Sequence, residues 1–197
     1  MLPTTGDRKQ HVTSRRNTLL GVTFAIGAAV LLSGCGAGDA KPSTPTSTRP
    51  PLAEDVPRSY NPCKDVPQSV LDSEKLGMQS LANSDGSGGV MWRGCAWVRS
   101  SSYGVSIRTT NLTIDLIRSR NFAEATEFTI GGRRAISTRQ FDGPFIKEAC
   151  TVDVEMKGGS LEFNMTNPKS TKTGKLDSCQ MARDLAEKVV PSLPATS

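Results

Sequence analysis

The chain has 197 residues, a net charge of +5, five cysteines and a single histidine, His11. The first 34 residues hold four of the 24 basic residues and one of the 19 acidic ones, so the remainder carries only +2. That remainder has no cationic run, which argues against nucleic-acid binding. It also has no histidine, which excludes Ser-His-Asp and Cys-His catalysis there.

The N-terminal segment has the pattern of an export signal. Four basic residues precede an uncharged run, 17–33, which is shorter than a spanning helix prefers and leads into Leu32-Ser33-Gly34-Cys35. Small residues before a cysteine at the end of an apolar run are typical of a lipobox, in which the thiol is acylated. We therefore predict a lipoprotein signal peptide over 1–34, lipid attachment at Cys35, and the outer face of the cytoplasmic membrane as the location. Arg15-Arg16 leaves the general and twin-arginine export routes both open.

The rest of the chain divides into a tether and one domain. Residues 35–59 are rich in proline, serine and threonine, and their few apolar residues have no period, so we predict a mobile, extended tether. Residues 60–197 are enough for a single α+β domain with one core.

Four cysteines remain after Cys35 is assigned to lipid: Cys63, Cys95, Cys150 and Cys179. An even number in an exported chain predicts two disulfides, for which three connectivities exist. We favour Cys63–Cys95 and Cys150–Cys179, because each joins a helix start to a strand nearby in sequence. No close pair of the C-x-x-C type occurs, so no metal site and no cofactor are predicted.

The predicted elements alternate between helices and hairpins. A helix follows Pro67, with Gly77 as its left-handed stop. Val90-Met91-Trp92 follows a polar loop. Strands at Cys95–Arg99 and Val105–Arg108 form a hairpin across 100–104, and a short helix begins near Thr113. A second hairpin turns at Gly131-Gly132 and a third at Gly158-Gly159.

The last two elements define the predicted sheet most clearly. Cys150, Val152, Val154 and Met156 face one way and Thr151, Asp153 and Glu155 the other, which predicts an antiparallel sheet with one apolar and one solvated face. Asp177 caps a final helix with one apolar face, stopped by Pro191. The fold class predicted is α+β, an antiparallel sheet with helices packed on it.

Several short motifs in a fixed order carry a resemblance. Besides the lipobox and tether they are Asn61-Pro62-Cys63, Cys95-Ala96-Trp97, Gly131-Gly132-Arg133-x-Ala135, Cys150-Thr151-Val152 and Ser178-Cys179 before the terminal helix. The chain resembles an actinobacterial lipoprotein family catalogued as a domain of unknown function, which includes mycobacterial LprB- and LprC-like secreted lipoproteins. The resemblance implies a surface-anchored domain and lends no catalytic residues. The element order is also similar to the Mog1/PsbP-like fold.

Few residues of the domain suit chemistry, so we predict that it is not an enzyme. Asp153 and Glu155 could form a glycosidase-like pair, but solvated charge is the simpler interpretation. A binding module for an envelope lipid, glycolipid or small ligand is the first hypothesis, with a pocket between sheet and helices. Arg133 and Arg134 are the candidate rim of that pocket. Trp92 and Trp97 either line the ligand site or pack in the core.

Two alternatives complete these hypotheses. The domain could be an adaptor that docks on another envelope protein, or, less favoured, a hydrolase that works without histidine. The predicted partners are the membrane, through the N-terminal anchor, and an envelope lipid, glycolipid or protein, with no nucleic acid.

Overall fold

A computed structural model of the chain describes residues 51–140, 142–170 and 172–195. The predicted signal peptide, Cys35 and most of the tether lie outside the described residues. Within the described ranges, no helix has both the length and the apolarity needed to cross a membrane. The helices are α1 (Pro62–Asp65), α2 (Gln68–Glu74), α3 (Ile114–Arg118) and α4 (Ser178–Val189).

Eight strands form one antiparallel sheet. They are β1 (Gly77–Leu81), β2 (Ser84–Asp85), β3 (Met91–Val98), β4 (Gly104–Thr110), β5 (Ala123–Ile130), β6 (Arg133–Arg139), β7 (Ala149–Met156) and β8 (Gly159–Thr166). Their order across the sheet is β1-β3-β4-β8-β7-β6-β5, with β2 also pairing with β3. After β4 the chain crosses through α3 to the far edge and returns strand by strand until β8 pairs with β4. The predicted α+β class, an antiparallel sheet with helices packed on it, is confirmed.

The helix predicted after Pro67 corresponds to α2, and it ends differently from the prediction. The left-handed residue after α2 is Lys75, with φ 56°, and its backbone N–H is donated to carbonyls of the last helical turn. Gly77 instead opens β1, an edge strand that the sequence pattern does not indicate because every residue of it is exposed. The left-handed stop at Gly77 is therefore wrong by two residues.

The final helix begins where its cap was predicted. The Asp177 carboxylate accepts backbone N–H groups from Cys179 and Gln180 at 2.9 and 3.0 Å. The Gln180 side chain donates forward to Asp184 rather than back to Asp177, so the capping box is only half formed. Pro191 lies in a short 3₁₀ turn directly after α4.

One face of the sheet packs against α4, α1 and α2, and we call it the α4 face. The central strands contribute Ile107, Val152 and Phe163, all fully buried, against Leu185 and Val189 of α4. Residues of α4 at i, i+3, i+4 and i+7 supply its buried stripe, as the sequence periodicity predicts.

The opposite face packs against α3 and the loop before β3, and we call it the α3 face. Ile114, Leu116 and Ile117 of α3 pack with Ile136 of β6 in a second, smaller core. Asp153 of β7 is only 1 % exposed. The prediction of one solvated face is therefore wrong, because α3 and its neighbours cover the polar side of the central strands.

Both edges of the sheet are irregular. Register shifts occur in β1 between Gly77 and Ser80 and in β5 between Ala123 and Thr126. Each shift contains a non-glycine residue with φ of 52°, Met78 in β1 and Glu124 in β5. Bulges at an edge oppose the addition of further strands.

Candidate functional site

The two arginines predicted to share a pocket rim lie on opposite faces of β6. Arg133 is buried and donates to the backbone carbonyls of Glu155, at 3.2 Å, and of Pro194. Arg134 is partly exposed on the α3 side and forms an ion pair with Asp115 at 2.7 Å. Neighbouring residues of a strand point to opposite sides, so these two cannot clamp one head group.

Trp92 and Trp97 also lie on opposite faces of the sheet. Trp97 is buried in the α4-face core. Trp92 lies on the α3 face, where its indole N–H is donated to the Glu162 carboxylate at 2.8 Å. The four predicted ligand-binding residues therefore do not form one site, and none of them lines the cavities described below.

The predicted pocket between sheet and helices is filled. The apolar residues of β7 and β8 on this side, Val152, Val154, Leu161 and Phe163, are fully buried against α4. The disulfides Cys63–Cys95 and Cys150–Cys179, the connectivity favoured from the sequence, lie at this face. Cys95 and Cys150 belong to its core.

A buried acidic cluster occupies the centre of the α3 face. Asp153 of β7 and Glu162 of β8 are directly opposite in the strand register, and both are buried. The Glu162 carboxylate accepts from Trp92 and, at 3.0 Å, from the Nε of Arg108, with which it forms an ion pair. The Arg108 guanidinium also lies 5.4 Å from the Trp92 ring centroid. Glu162 is thus fully engaged by two donors.

Burial disfavours the charged form of Asp153. Burial raises the pKa of its carboxyl well above the ordinary value, and the charge of Glu162 raises it further. The Ser160 hydroxyl lies 2.8 Å from the Leu112 carbonyl and 3.0 Å from the Asp153 carboxyl. Ser160 is the donor to both oxygens, and its hydrogen bond opposes, without cancelling, the rise in the pKa of Asp153.

This cluster is closed to substrates. Asp153 and Glu162 are at most 2 % exposed. A glycosidase needs two carboxyl groups that flank a sugar, and this pair faces only protein. Glu155, the other member of the pair considered from the sequence, is partly exposed and lies near Arg134 at 3.7 Å. Asp153 and Glu155 therefore do not present two carboxyl groups to one open site.

An open cavity lies on the other side of the sheet, where the chain enters the domain. We call it the entry groove. Its volume is about 520 Å³, within the usual range for small-ligand sites. One wall is chain segment 55–64 and the other consists of Leu81, Asn83, Arg93, Gly94 and Thr109.

Local contacts hold both walls of the entry groove. The Asn61 side chain accepts the Cys63 backbone N–H at 3.1 Å and caps α1, which the disulfide then ties to β3. On the opposite wall the Asn83 side chain accepts the Gly94 N–H at 2.9 Å. A Cβ at Gly94 would lie 2.2 Å from the Ile107 carbonyl oxygen, so only glycine fits there.

The charged residues that line the groove differ in whether they form ion pairs. The Arg58 hydrogen bond to Asp55 holds the pKa of that carboxyl below its usual value. Arg93 is paired with Asp85 at 2.6 Å. Lys64 is exposed and forms no ion pair with any residue that the structure describes. The lining therefore combines an apolar surface with one exposed cation, Lys64, that forms no ion pair within the described residues.

Comparison with known proteins identifies the family. The model of the family described as "Protein of unknown function (DUF3558)" matches residues 30–192. The chain belongs to the DUF3558 family. The match spans the described domain and begins before Cys35. Searches of curated proteins and of solved structures gave no match.

The sequence analysis missed the entry groove because no local signal marks it. Its walls come from the end of the predicted tether, the start of the predicted domain, and strand residues up to 54 positions away. The acidic cluster did leave a signal. Glu162 interrupts the apolar Leu161 and Phe163 at the position that pairs with Asp153. In the part of the chain that the structure describes, no group of three potential metal ligands is gathered.

Proposed function

We propose that this DUF3558 protein is a lipid-anchored envelope lipoprotein whose domain binds a small anionic amphiphile in the entry groove. The observation that carries the proposal is the groove itself. It combines a largely apolar lining with the exposed ammonium of Lys64, which forms no ion pair within the described residues. An acyl or other apolar body fits such a lining, and a phosphate or carboxylate meets the cation.

The position of the groove supports the same proposal. Residues 55–58, which line it, are the end of the stretch predicted to connect the domain to acylated Cys35. The anchor would therefore keep the groove close to the lipids of the outer leaflet. The resemblance to actinobacterial LprB- and LprC-like lipoproteins agrees with this location.

We further propose that the domain is not catalytic. The mature chain has no histidine, its four domain cysteines are paired as disulfides, and its opposed carboxyl groups are buried. A general base near neutral pH would have to come from elsewhere.

Binding is tested with the full chain in neutral lipid nanodiscs. Lysophosphatidic acid should bind more tightly than the matched monoacylglycerol, and Lys64→Gln should weaken only the former. Leu81→Trp, which places a large ring at an exposed groove residue, should weaken both. Met78→Trp is the control, because Met78 is equally exposed on β1 but does not line the groove. Equal effects of the two tryptophan variants would refute the groove as the site.

Anchoring is tested at Cys35. Only a thiol can take the diacylglyceryl group, so Cys35→Ala should leave an unprocessed precursor or move the protein from membrane to medium. Retention of a processed variant on membranes after a high-salt wash would contradict the lipoprotein proposal.

A second candidate function is that of an adaptor for another envelope protein. Met78 and Leu81 are 74 % and 77 % exposed on edge strand β1, beside the entry groove. Exposed apolar residues grouped at an edge favour protein contact. Loss of a stoichiometric partner in Met78→Asp, with lysolipid binding unchanged, would favour this alternative.

A further inference from the structure

A second cavity lies at the opposite end of the β3–β4 hairpin from the entry groove. We call it the basic cleft. It has a volume of about 610 Å³ and is lined by Val98, Arg99, Ser101–Gly104, Thr166, Pro168, Lys169 and Ser170. From Arg93 in the entry groove to Arg99 in the basic cleft, six strand residues span roughly 20 Å.

The lining of the basic cleft contains cations and hydroxyl groups and no carboxylate. Arg99 lies beside the Tyr103 ring, 6.0 Å from its centroid, and Lys169 is exposed. Neither forms an ion pair with a residue in the described ranges. Lys172 adds a third positive charge at the rim, where its ammonium donates to the Ser100 carbonyl at 3.2 Å.

The nearest acid is already engaged. Tyr103 donates its hydroxyl to Glu74 at 2.8 Å, and Glu74 also forms an ion pair with Lys188 of α4. Glu74 therefore already has two partners, its charge also acts on Arg99, and the lining itself supplies no carboxylate.

The walls of the cleft are fixed by side-chain contacts between two loops. The Ser102 hydroxyl lies 2.7 Å from that of Thr173, and Ser170 accepts the backbone N–H groups of Thr173 and Gly174 at 3.1 Å each. Asn167 donates to the carbonyls of Thr173 and Leu176, which closes the second loop on itself. Preorganised walls lower the entropic cost of binding.

We propose that the basic cleft binds a phosphate-bearing polymer. Arginine and lysine together suit phosphate oxygens, and several cations around one cleft suit a chain of such groups better than a single ion. The concave shape of the cleft favours an extended polymer over the flat surface of a membrane. This site is independent of the entry groove.

The test uses the full chain in phosphatidylcholine nanodiscs and fluorescent polyphosphate as the probe. Arg99→Gln/Lys169→Gln should weaken polyphosphate binding about tenfold and reduce the slope of log K against log salt by roughly one to two. Lys157→Gln is the matched control, because Lys157 is an exposed lysine on the β7–β8 turn at the other end of the sheet. Lys64→Gln should also leave polyphosphate binding unchanged.

Three results would overturn the proposal. Equal weakening by Lys157→Gln would show attraction to the whole positive surface rather than to a site. Complete competition by inorganic phosphate at the same phosphate concentration would show that no polymer is recognised. The nanodiscs are also prepared with phosphatidylglycerol. If this lipid abolishes polyphosphate binding by the wild type but not by the double variant, the cleft binds the membrane surface instead.

Discussion

The two faces of this sheet are both buried, but by different chemistry. On the α4 face the central strands present valine, leucine, isoleucine and phenylalanine to a helix with a matching apolar stripe. On the α3 face the same strands present Asp153, Glu162 and Arg108. Glu162 accepts hydrogen bonds from Arg108 and Trp92, and Asp153 accepts one from Ser160. Apolar burial is non-directional and tolerates repacking, whereas a buried ionic cluster depends on each partner being present.

The comparison predicts different mutational behaviour at adjacent positions of β8. Phe163 points into the α4 face and Glu162 into the α3 face. The free energy of unfolding should fall when Phe163 loses volume and when Glu162 loses its charge. Three experiments test this difference, from the largest expected effect to the smallest.

Phe163→Ala should lower the free energy of unfolding by about 3–5 kcal/mol, because it leaves a cavity under α4 where no solvent reaches. Urea unfolding of the full chain, with its disulfides intact, measures the change. Met165→Leu, a volume-conserving change on the same face, should cost less than about 1.5 kcal/mol. A loss below about 1 kcal/mol for Phe163→Ala would mean that this interface has spare room, as the sequence analysis first supposed.

Glu162→Gln should cost about 2 kcal/mol with almost no change in volume. The neutral amide still reaches Trp92, but it leaves the half-buried Arg108 without its counter-charge. Glu155→Gln is the control on the same face. Its carboxylate is 41 % exposed and its ion pair is loose, so a change under about 1 kcal/mol is expected. Similar losses for the two variants would show that burial of the cluster contributes little.

Asp153→Asn should alter the pH dependence of stability more than stability itself. The folded pKa of Asp153 is raised above its unfolded value of about 3.8, so the folded state binds this proton more tightly. The stabilisation is complete below that unfolded value and is lost as pH rises through the folded pKa, by at most about 1.4 kcal/mol per pH unit. The asparagine variant cannot ionise and should show no such loss. Its stability relative to wild type should therefore increase with pH.

Urea unfolding between pH 4 and pH 9 measures this difference. The charged groups that face Asp153 are Glu162, Arg108 and Arg120, and all three are retained in the variant. Acids with lowered pKa, such as Glu124 and Glu127, destabilise both proteins equally as pH falls, so their contribution cancels. Parallel stability curves across the range would show that Asp153 is ionised in the folded protein.

The features of the fold that depend on neighbouring residues, such as turns and helix caps, could be predicted from the sequence. Gly131-Gly132, with φ of 56° and 79°, forms the two-residue turn that the β5–β6 hairpin needs. The α4 stripe and the Asp177 cap follow from a helical period and a single side chain. Edge strand β1 was missed because its five exposed residues carry no alternation, and its pairing with β3 provides the only reason for it to be a strand.

The sequence by itself determined the order of the main helices and hairpins, the export pattern that ends at Cys35 and the cysteines available for pairing. These depend on residues close together in the chain. Only the tertiary structure decided that the polar side of β7 and β8 is buried, because β4 pairs with β8 across 62 positions, from Gly104 to Thr166, and α3 packs over the paired strands. The entry groove and the basic cleft have the same origin. Each cavity is lined by segments that are distant in sequence. Its shape and its exposed cations therefore arise only when folding brings those segments together.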